Sequence, residues 1–527
     1  IQSNKLGESF VKSKEVSAKI DYDLGWGTLT SITSFTDVDA GNDQDLDQTF
    51  VEAIDILVID QSETIAQELR LVSDSDRALR WVAGLSYFSQ DRFRSLGTTF
   101  LGTPVPPAAQ DLKLEDFAVF GNLSYDVTDD LELTVAFRWD EETPEDLTLG
   151  RRSTFSELQP TVPLASRFQE DLLGYVTVGK GFRAGGFNNV APGSNFQPGF
   201  DRESLVSYEA GLKGSTPGGR VRGALSLFFI DYTDQQFFLF DQTGTQANIN
   251  IEKSEIAGGE LELTAQPTES LLLNLGVGFT DSEIVKYEDI PGVLVPASEI
   301  VGRNVPGAPV LSANLALQHT AAIGDTRQLV TRFDLEHRGK TYWTLDNLDT
   351  QSSYELANLS VALENDRWAA RAYVNNLAPG STFQPGFDAE TLISYETGLK
   401  GSGFGGKLRA GMSLFFIDYT DQQFFLFDQT GTQANINIEK SEIMGGELEL
   451  TAQATESLLL NVGIGFTDSE IVEYEDIPGV LVPASEIVGR KVPGAPVLSV
   501  SLAGQHTASL SNEMDLVTRF DFEHRGK

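Results

Sequence analysis

The chain has 527 residues, with 77 Asp plus Glu against 38 Lys plus Arg, a formal charge of −39, no cysteine and four histidines. That composition excludes a disulfide framework, a thiolate metal site and a His-rich centre, and it opposes nucleic-acid binding, which needs a basic surface to displace counterions from phosphate. Disorder is excluded too, because 40% of the residues are hydrophobic and 33 are Phe.

No run of about 18 apolar residues occurs, so a transmembrane helix is not expected. A membrane-spanning strand needs only about 9–11 tilted residues, alternating between a lipid-facing and a lumen-facing side chain. The chain carries that alternation from its start. Residues 16–23 form the first clear strand and run into the short polar turn Leu24-Gly25-Trp26-Gly27. Residues 65–73 and 81–88 follow, split by the turn at 73–77. Then comes Leu131-Glu132-Leu133-Thr134-Val135-Ala136-Phe137-Arg138-Trp139, apolar at every second position. Its apolar set is expected to face lipid, with Glu132, Thr134 and Arg138 toward the lumen. Residues 175–182, 261–265 and 359–363 repeat the pattern. Further short turns fall at 126–130, 266–269 and 364–367, and long connections are expected at 38–63, 92–112, 188–203, 234–252 and 282–306. Short and long connections alternate, as short periplasmic turns and long outer loops do in an outer-membrane barrel. The expected fold is all-β, a large antiparallel transmembrane barrel of roughly 22 strands, open or closed.

Residues 188–340 match residues 375–527 at a constant offset of 187 without a gap, and about four positions in five are identical. The chain therefore divides into receptor-like barrel strands at 1–374 and, at 375–527, a second copy of the 188–340 block that continues the barrel. Both copies follow a strand expected to run from a short turn toward a long loop, so the junction preserves up-down parity. On that parity, residues 16–23 and 516–524 should meet and run antiparallel if the ring closes. The opposite outcome is a separate curved sheet at 375–527.

Several stretches carry a resemblance in a consistent order. They are residues 65–73 with 81–88, residues 117–125 with 131–139, Tyr-Val-Thr-Val-Gly-Lys-Gly-Phe-Arg-Ala-Gly-Gly-Phe-Asn at 175–188, Ser-Tyr-Glu-Ala-Gly-Leu-Lys at 207–213, 228–236 and 258–263, and 354–360 with 372–376. This series resembles the barrel of TonB-dependent receptors across nearly the whole chain. The resemblance implies energised uptake of a scarce nutrient, such as a ferric siderophore, across the outer membrane of a Gram-negative bacterium. It also implies a small-molecule ligand at the outer loops, the TonB protein as partner of the full-length receptor, and outer-membrane lipid and lipopolysaccharide around the wall. Nucleic acid is not an expected partner. The family's plug domain and TonB-contacting box are not seen in this sequence. The alternative is therefore a plugless structural or passive barrel fragment without transport activity.

The candidate ligand contacts lie in the expected loop at 235–244, at Phe237, Phe238, Phe240 and Asp241. They recur in the second copy as Phe424, Phe425, Phe427 and Asp428. An interfacial aromatic girdle is the competing reading. Two facts set these residues apart: the copies are identical from Ser226 to Ile256, and loops usually drift fastest. The carboxylate-dense stretch 37–47 does not match the calcium-loop spacing and is expected to be a solvated loop. The glycine-rich run at 181–186 lacks a phosphate-loop Lys-Ser/Thr. No catalytic constellation, metal centre or cofactor is expected.

Overall fold

The computed structural model describes residues 8–45, 54–75, 77–100, 102–188, 196–240, 246–290, 293, 295–365, 368–375, 391–427, 433–475, 484–492, 497–511 and 514–526. Twenty-two antiparallel strands of eight residues or more form one sheet, with the two-residue strand Arg151–Arg152 added beside Leu131–Asp146. Each strand pairs with its neighbours in sequence, and the first strand also pairs with the last. Glu8–Asp23 lies against Gly27–Asp45 on one side and Met514–Arg525 on the other, in the register Val16↔Phe520 and Tyr22↔Met514. The ring is therefore closed, and the second copy is part of it. Closure is what a bilayer requires, because an unpaired edge N–H or C=O finds no water there.

The wall follows the two-residue period. On Leu131–Asp146 the side chains of Leu133, Val135 and Phe137 are exposed on the outward face. The alternate positions make polar contacts: Thr134 shares a hydrogen bond of 2.7 Å with Ser124, Glu132 pairs with Arg80, and Arg138 pairs with Asp140 at 2.7 Å. The same arrangement recurs across the barrel, as in Lys19–Asp21 at 2.6 Å and Arg332–Asp334 at 2.6 Å. An apolar outside and an ion-paired inside are the inverse of a water-soluble sheet.

The short connections cluster at one end. In the turn after Glu203–Ser215, Gly218 and Gly219 have φ of 86° and 69°. A side chain is strained in that left-handed region, so glycine is the fitting residue. Helix is confined, among the described residues, to Ala297–Ile300, Ala484–Ile487 and the three-ten turn Phe404–Gly406.

The opposite end departs from expectation. Much of what reads as long loop is strand. Leu79–Phe100 and Thr103–Thr128 stay paired up to Phe100↔Thr103, and Gly27–Asp45 stays paired with Ile54–Ser73 up to Asp45↔Asp55. The stretch from Asp37 to Asp45 is thus strand and not a solvated loop. Two of its carboxylates are offset by lysines of the neighbouring strand, Lys14–Asp37 at 2.9 Å and Lys12–Asp39 at 3.8 Å. Likewise Val221–Phe240 and Gln246–Thr268 pair up to Phe240↔Gln246, so the Phe-rich segment is a strand end.

Candidate functional site

A buried apolar cluster holds the outer end together. Ile249 and Ile251 of Gln246–Thr268 pack with Ile284, Tyr287, Ile300, Val305 and Leu345, and Phe196 joins them from the connection after residue 183. Ile251, Ile284 and Ile300 are fully buried. The connection after Leu271–Lys286 is laced back onto its own strand. The Ile284 N–H donates to Arg303 O at 2.8 Å and the Gly302 N–H to Ile284 O at 2.9 Å. Burial, with Asp289 and Glu252 nearby, pushes the Tyr287 phenol up to about 12.

Beside the cluster the chain builds a cavity of about 570 Å3. After Leu172–Arg183 the backbone leaves the wall and forms a small ribbon, Gly186–Phe187 against Gly199–Phe200. The ribbon fits because residues 185 and 186 are glycines. A Cβ at Gly185 would lie 2.2 Å from Phe200 O and 2.6 Å from the Phe155 ring, and one at Gly186 would lie 2.8 Å from the Phe200 ring. The ribbon is tied to the wall by amides. Asn188 donates to Asn248 O at 2.8 Å and accepts from Asn248 N–H at 2.9 Å. Asn250 accepts from Asp201 N–H at 2.8 Å and donates to Asp201 O and Asp234 O, both at 2.8 Å. The cavity is lined by Phe155, Phe187, Phe196 and Phe200, by Asn248 and Asn250, and by Asp201 and Asp289. Such a mixture of apolar wall and a few placed polar groups is what a small-molecule site requires.

The residues singled out from the sequence are placed differently. Phe237 packs against the apolar cluster, whereas its neighbour Phe238 is 56% exposed. Consecutive strand residues face opposite ways, so the two do not make one surface. Phe240, Phe424, Phe425 and Phe427 have strand backbone, and their side chains lie outside the described residues. Asp241 and Asp428 lie outside the described residues altogether. None of the eight lines the cavity among the described residues, and its aromatic residues were not picked out from sequence. The adjacent glycines Gly185 and Gly186, ending a strand in front of a Phe, were the available signal. Among the described residues no group of three or more His, Cys, Asp or Glu is placed to hold a metal ion.

A closed ring with an apolar outside and a polar inside defines a transmembrane β-barrel of the Gram-negative outer membrane. The chain belongs to the family described as TonB dependent receptor-like, beta-barrel, whose model matches residues 3–377 and again 378–521. Solved structures show the same fold at low identity. The ferric yersiniabactin uptake receptor FyuA from Yersinia pestis aligns with a TM-score of 0.57 at 18% identity, over 69% of this chain and 56% of that one. BauA, the ferric preacinetobactin receptor from Acinetobacter baumannii, aligns with 0.54 at 13% identity, over 84% and 64%. The ferric citrate transporter FecA in its unliganded form aligns with 0.52 at 10% identity, over 98% and 62%. This chain thus spans less than two thirds of the length of each of these proteins.

Proposed function

We propose that this barrel is a receptor and transporter for energised uptake of a scarce nutrient, captured at the outer end and passed across the outer membrane. The observation that carries this reading is the cavity of about 570 Å3 at the end opposite the short turns, with its amide-pinned floor and phenylalanine walls. Family membership supports transport over catalysis. The ligand is a small molecule, and a ferric siderophore is the example that the neighbours' names offer. The exposed ring of Phe238 is the member of the Phe-rich strand end that a ligand could reach first. Lipid surrounds the apolar wall, lipopolysaccharide meets its outer rim, and the TonB protein supplies energy to the full-length receptor.

The test is uptake of a labelled ferric siderophore by a Gram-negative host lacking its own ferric receptors, with and without functional TonB. Uptake that requires both this chain and TonB is the expected result. Uptake that persists without TonB identifies a passive barrel. No uptake under either condition, with the chain folded in the membrane, removes ferric siderophores as the ligand.

A further inference from the structure

We infer that the outer cavity takes an organic cation, an ammonium or similar group carried on an apolar body. The inference rests on the ligand-site reading above and assigns the charge of the part of the ligand that enters. Four phenylalanines, Phe155, Phe187, Phe196 and Phe200, share the lining with Asp201 and Asp289. No Lys or Arg lines the cavity among the described residues. Two arginines beside it are turned to other work. The Arg151 guanidinium donates to Asn188 O at 3.0 Å and Pro198 O at 3.1 Å. The Arg202 guanidinium donates to Ser156 O at 2.7 Å and pairs with Glu157 at 3.1 Å.

The charged residues of the lining itself are the two aspartates. One Asp289 oxygen accepts the Ala297 N–H at 2.5 Å. Asp201 has its backbone N–H and O both bonded to the Asn250 side chain. Asp234, behind Asp201, is held above the usual carboxylate range, mainly by burial and then by the charges of Asp201 and Glu252. An anion entering here would meet two aspartates and no lysine or arginine in the lining, while a cation gains from the aspartates and from any phenylalanine face it reaches. A neutral apolar ligand would gain from the rings alone.

The second copy does not repeat this lining. Tyr373 and Val374 stand 187 positions after Gly186 and Phe187, and Ser153, Thr154 and Phe155 precede the duplicated block.

The purified chain in non-ionic detergent tests this by calorimetric titration with benzyltrimethylammonium, benzyl alcohol and phenylacetate. The ammonium should bind about two- to fivefold more tightly than the alcohol, in line with a cation over an aromatic face at an exposed site, and phenylacetate should be weakest. The double variant Asp201→Asn and Asp289→Asn should bring the ammonium to the level of the alcohol and leave the alcohol unchanged. Phe200→Ala should weaken ammonium and alcohol alike. Heat-modifiable mobility in gels confirms that each variant is folded. Phenylacetate binding as tightly as the ammonium overturns the charge assignment while leaving the cavity as a ligand site. So does an ammonium preference that survives the double variant. Failure of all three probes on folded protein overturns the cavity itself.

Discussion

The two copies of the duplicated block sit in one ring and can be compared strand for strand. The shared framework is reproduced closely. Asp234 and Asp421 both take left-handed φ, 56° and 55°. Asn250 donates to Asp234 O at 2.8 Å, and Asn437 donates to Asp421 O at 2.6 Å. The Ile471 N–H donates to Arg490 O at 2.8 Å, as the Ile284 N–H does to Arg303 O, and Ile438, Ile471, Ile487 and Val492 are buried like their counterparts. The surroundings differ. Before the first copy, the strand Leu172–Arg183 stops and the chain turns inward at Gly185 and Gly186. Before the second, Trp368–Asn375 runs on as strand through Ala372 and Tyr373. Rim packing is local and travels with the sequence, whereas the cavity depends on what the block is placed beside.

That contrast sets the largest expected effect. Removing residues 188–374 joins Phe187 to Asn375 and moves the second copy into the first copy's place. The contact between Leu172–Arg183 and Glu203–Ser215 would be re-made with Thr391–Gly403, and Met514–Arg525 would still close against Glu8–Asp23. Phe383, Phe387, Asp388 and Asp476 would stand where Phe196, Phe200, Asp201 and Asp289 now stand. A smaller heat-modifiable barrel that binds the same probes is expected. A chain that never becomes heat-modifiable would show that the ring needs both copies.

Next in size is the buried apolar cluster. Ile251→Ala should cost about 2–5 kcal/mol against urea unfolding in lipid vesicles, since the side chain is fully buried. Ile438→Ala, at 2% exposure, should cost about as much on the same scale. A cost confined to one copy would break the equivalence of the two rims.

The Tyr287 phenol gives a pH test. Its value in the folded chain is about 12, against about 10 for an exposed tyrosine. Burial is the first cause, followed by the negative charges of Asp289 and Glu252. A raised value means that folding favours the protonated form. The contribution is whole below about pH 10 and is lost as pH climbs toward 12, because the unfolded chain sheds the proton first. Ultraviolet titration of tyrosinate should show a late-ionising phase that Tyr287→Phe reduces by one phenol. Complete ionisation of all folded tyrosines near pH 10 would refute it.

How much of this was legible in sequence follows from where water is. Within the bilayer one face meets lipid and the other the lumen, so residues 131–139 alternate cleanly, and the strand, its two faces and the ring size of roughly 22 could be read. The meeting of the first and last strands followed from counting turns. Above the bilayer both faces are wet and alternation fades. Thr103–Thr128 opens with Pro104, Pro106 and Pro107, which read as loop, yet pairing with Leu79–Phe100 holds it extended. The same effect disguised residues 37–45 and 235–240. The cavity had no local pattern at all, because its lining comes from positions spread between Ser153 and Ile290.

The smallest expected effect sharpens the comparison at one residue. Asn304 in the first copy is Lys491 in the second, inside an otherwise identical stretch from Tyr287 to Ser312. Asn304 is bound into its neighbours. Its side chain donates to Ser282 O at 3.1 Å, its N–H donates to Asn347 Oδ1 at 2.7 Å, and Asn347 donates back to Asn304 O at 2.9 Å. Asn347 holds that position with φ of 59°, a conformation asparagine tolerates better than most residues. Lys491 instead reaches outward to Asp468, in a pair whose side chains are 63% and 49% exposed. Asn304→Lys should therefore cost about 1–3 kcal/mol, because it leaves a part-buried carbonyl without its donor. Lys491→Asn should cost less than about 1 kcal/mol, the usual worth of an exposed ion pair. Asn347 holds the backbone of residue 304, which either side chain keeps, so an asymmetry between the two substitutions weighs the Asn304 side-chain bond to Ser282 O against the exposed pair of Lys491. Equal costs would mean that the Asn304 side-chain bond is worth no more to the rim than the exposed ion pair that replaces it in the second copy.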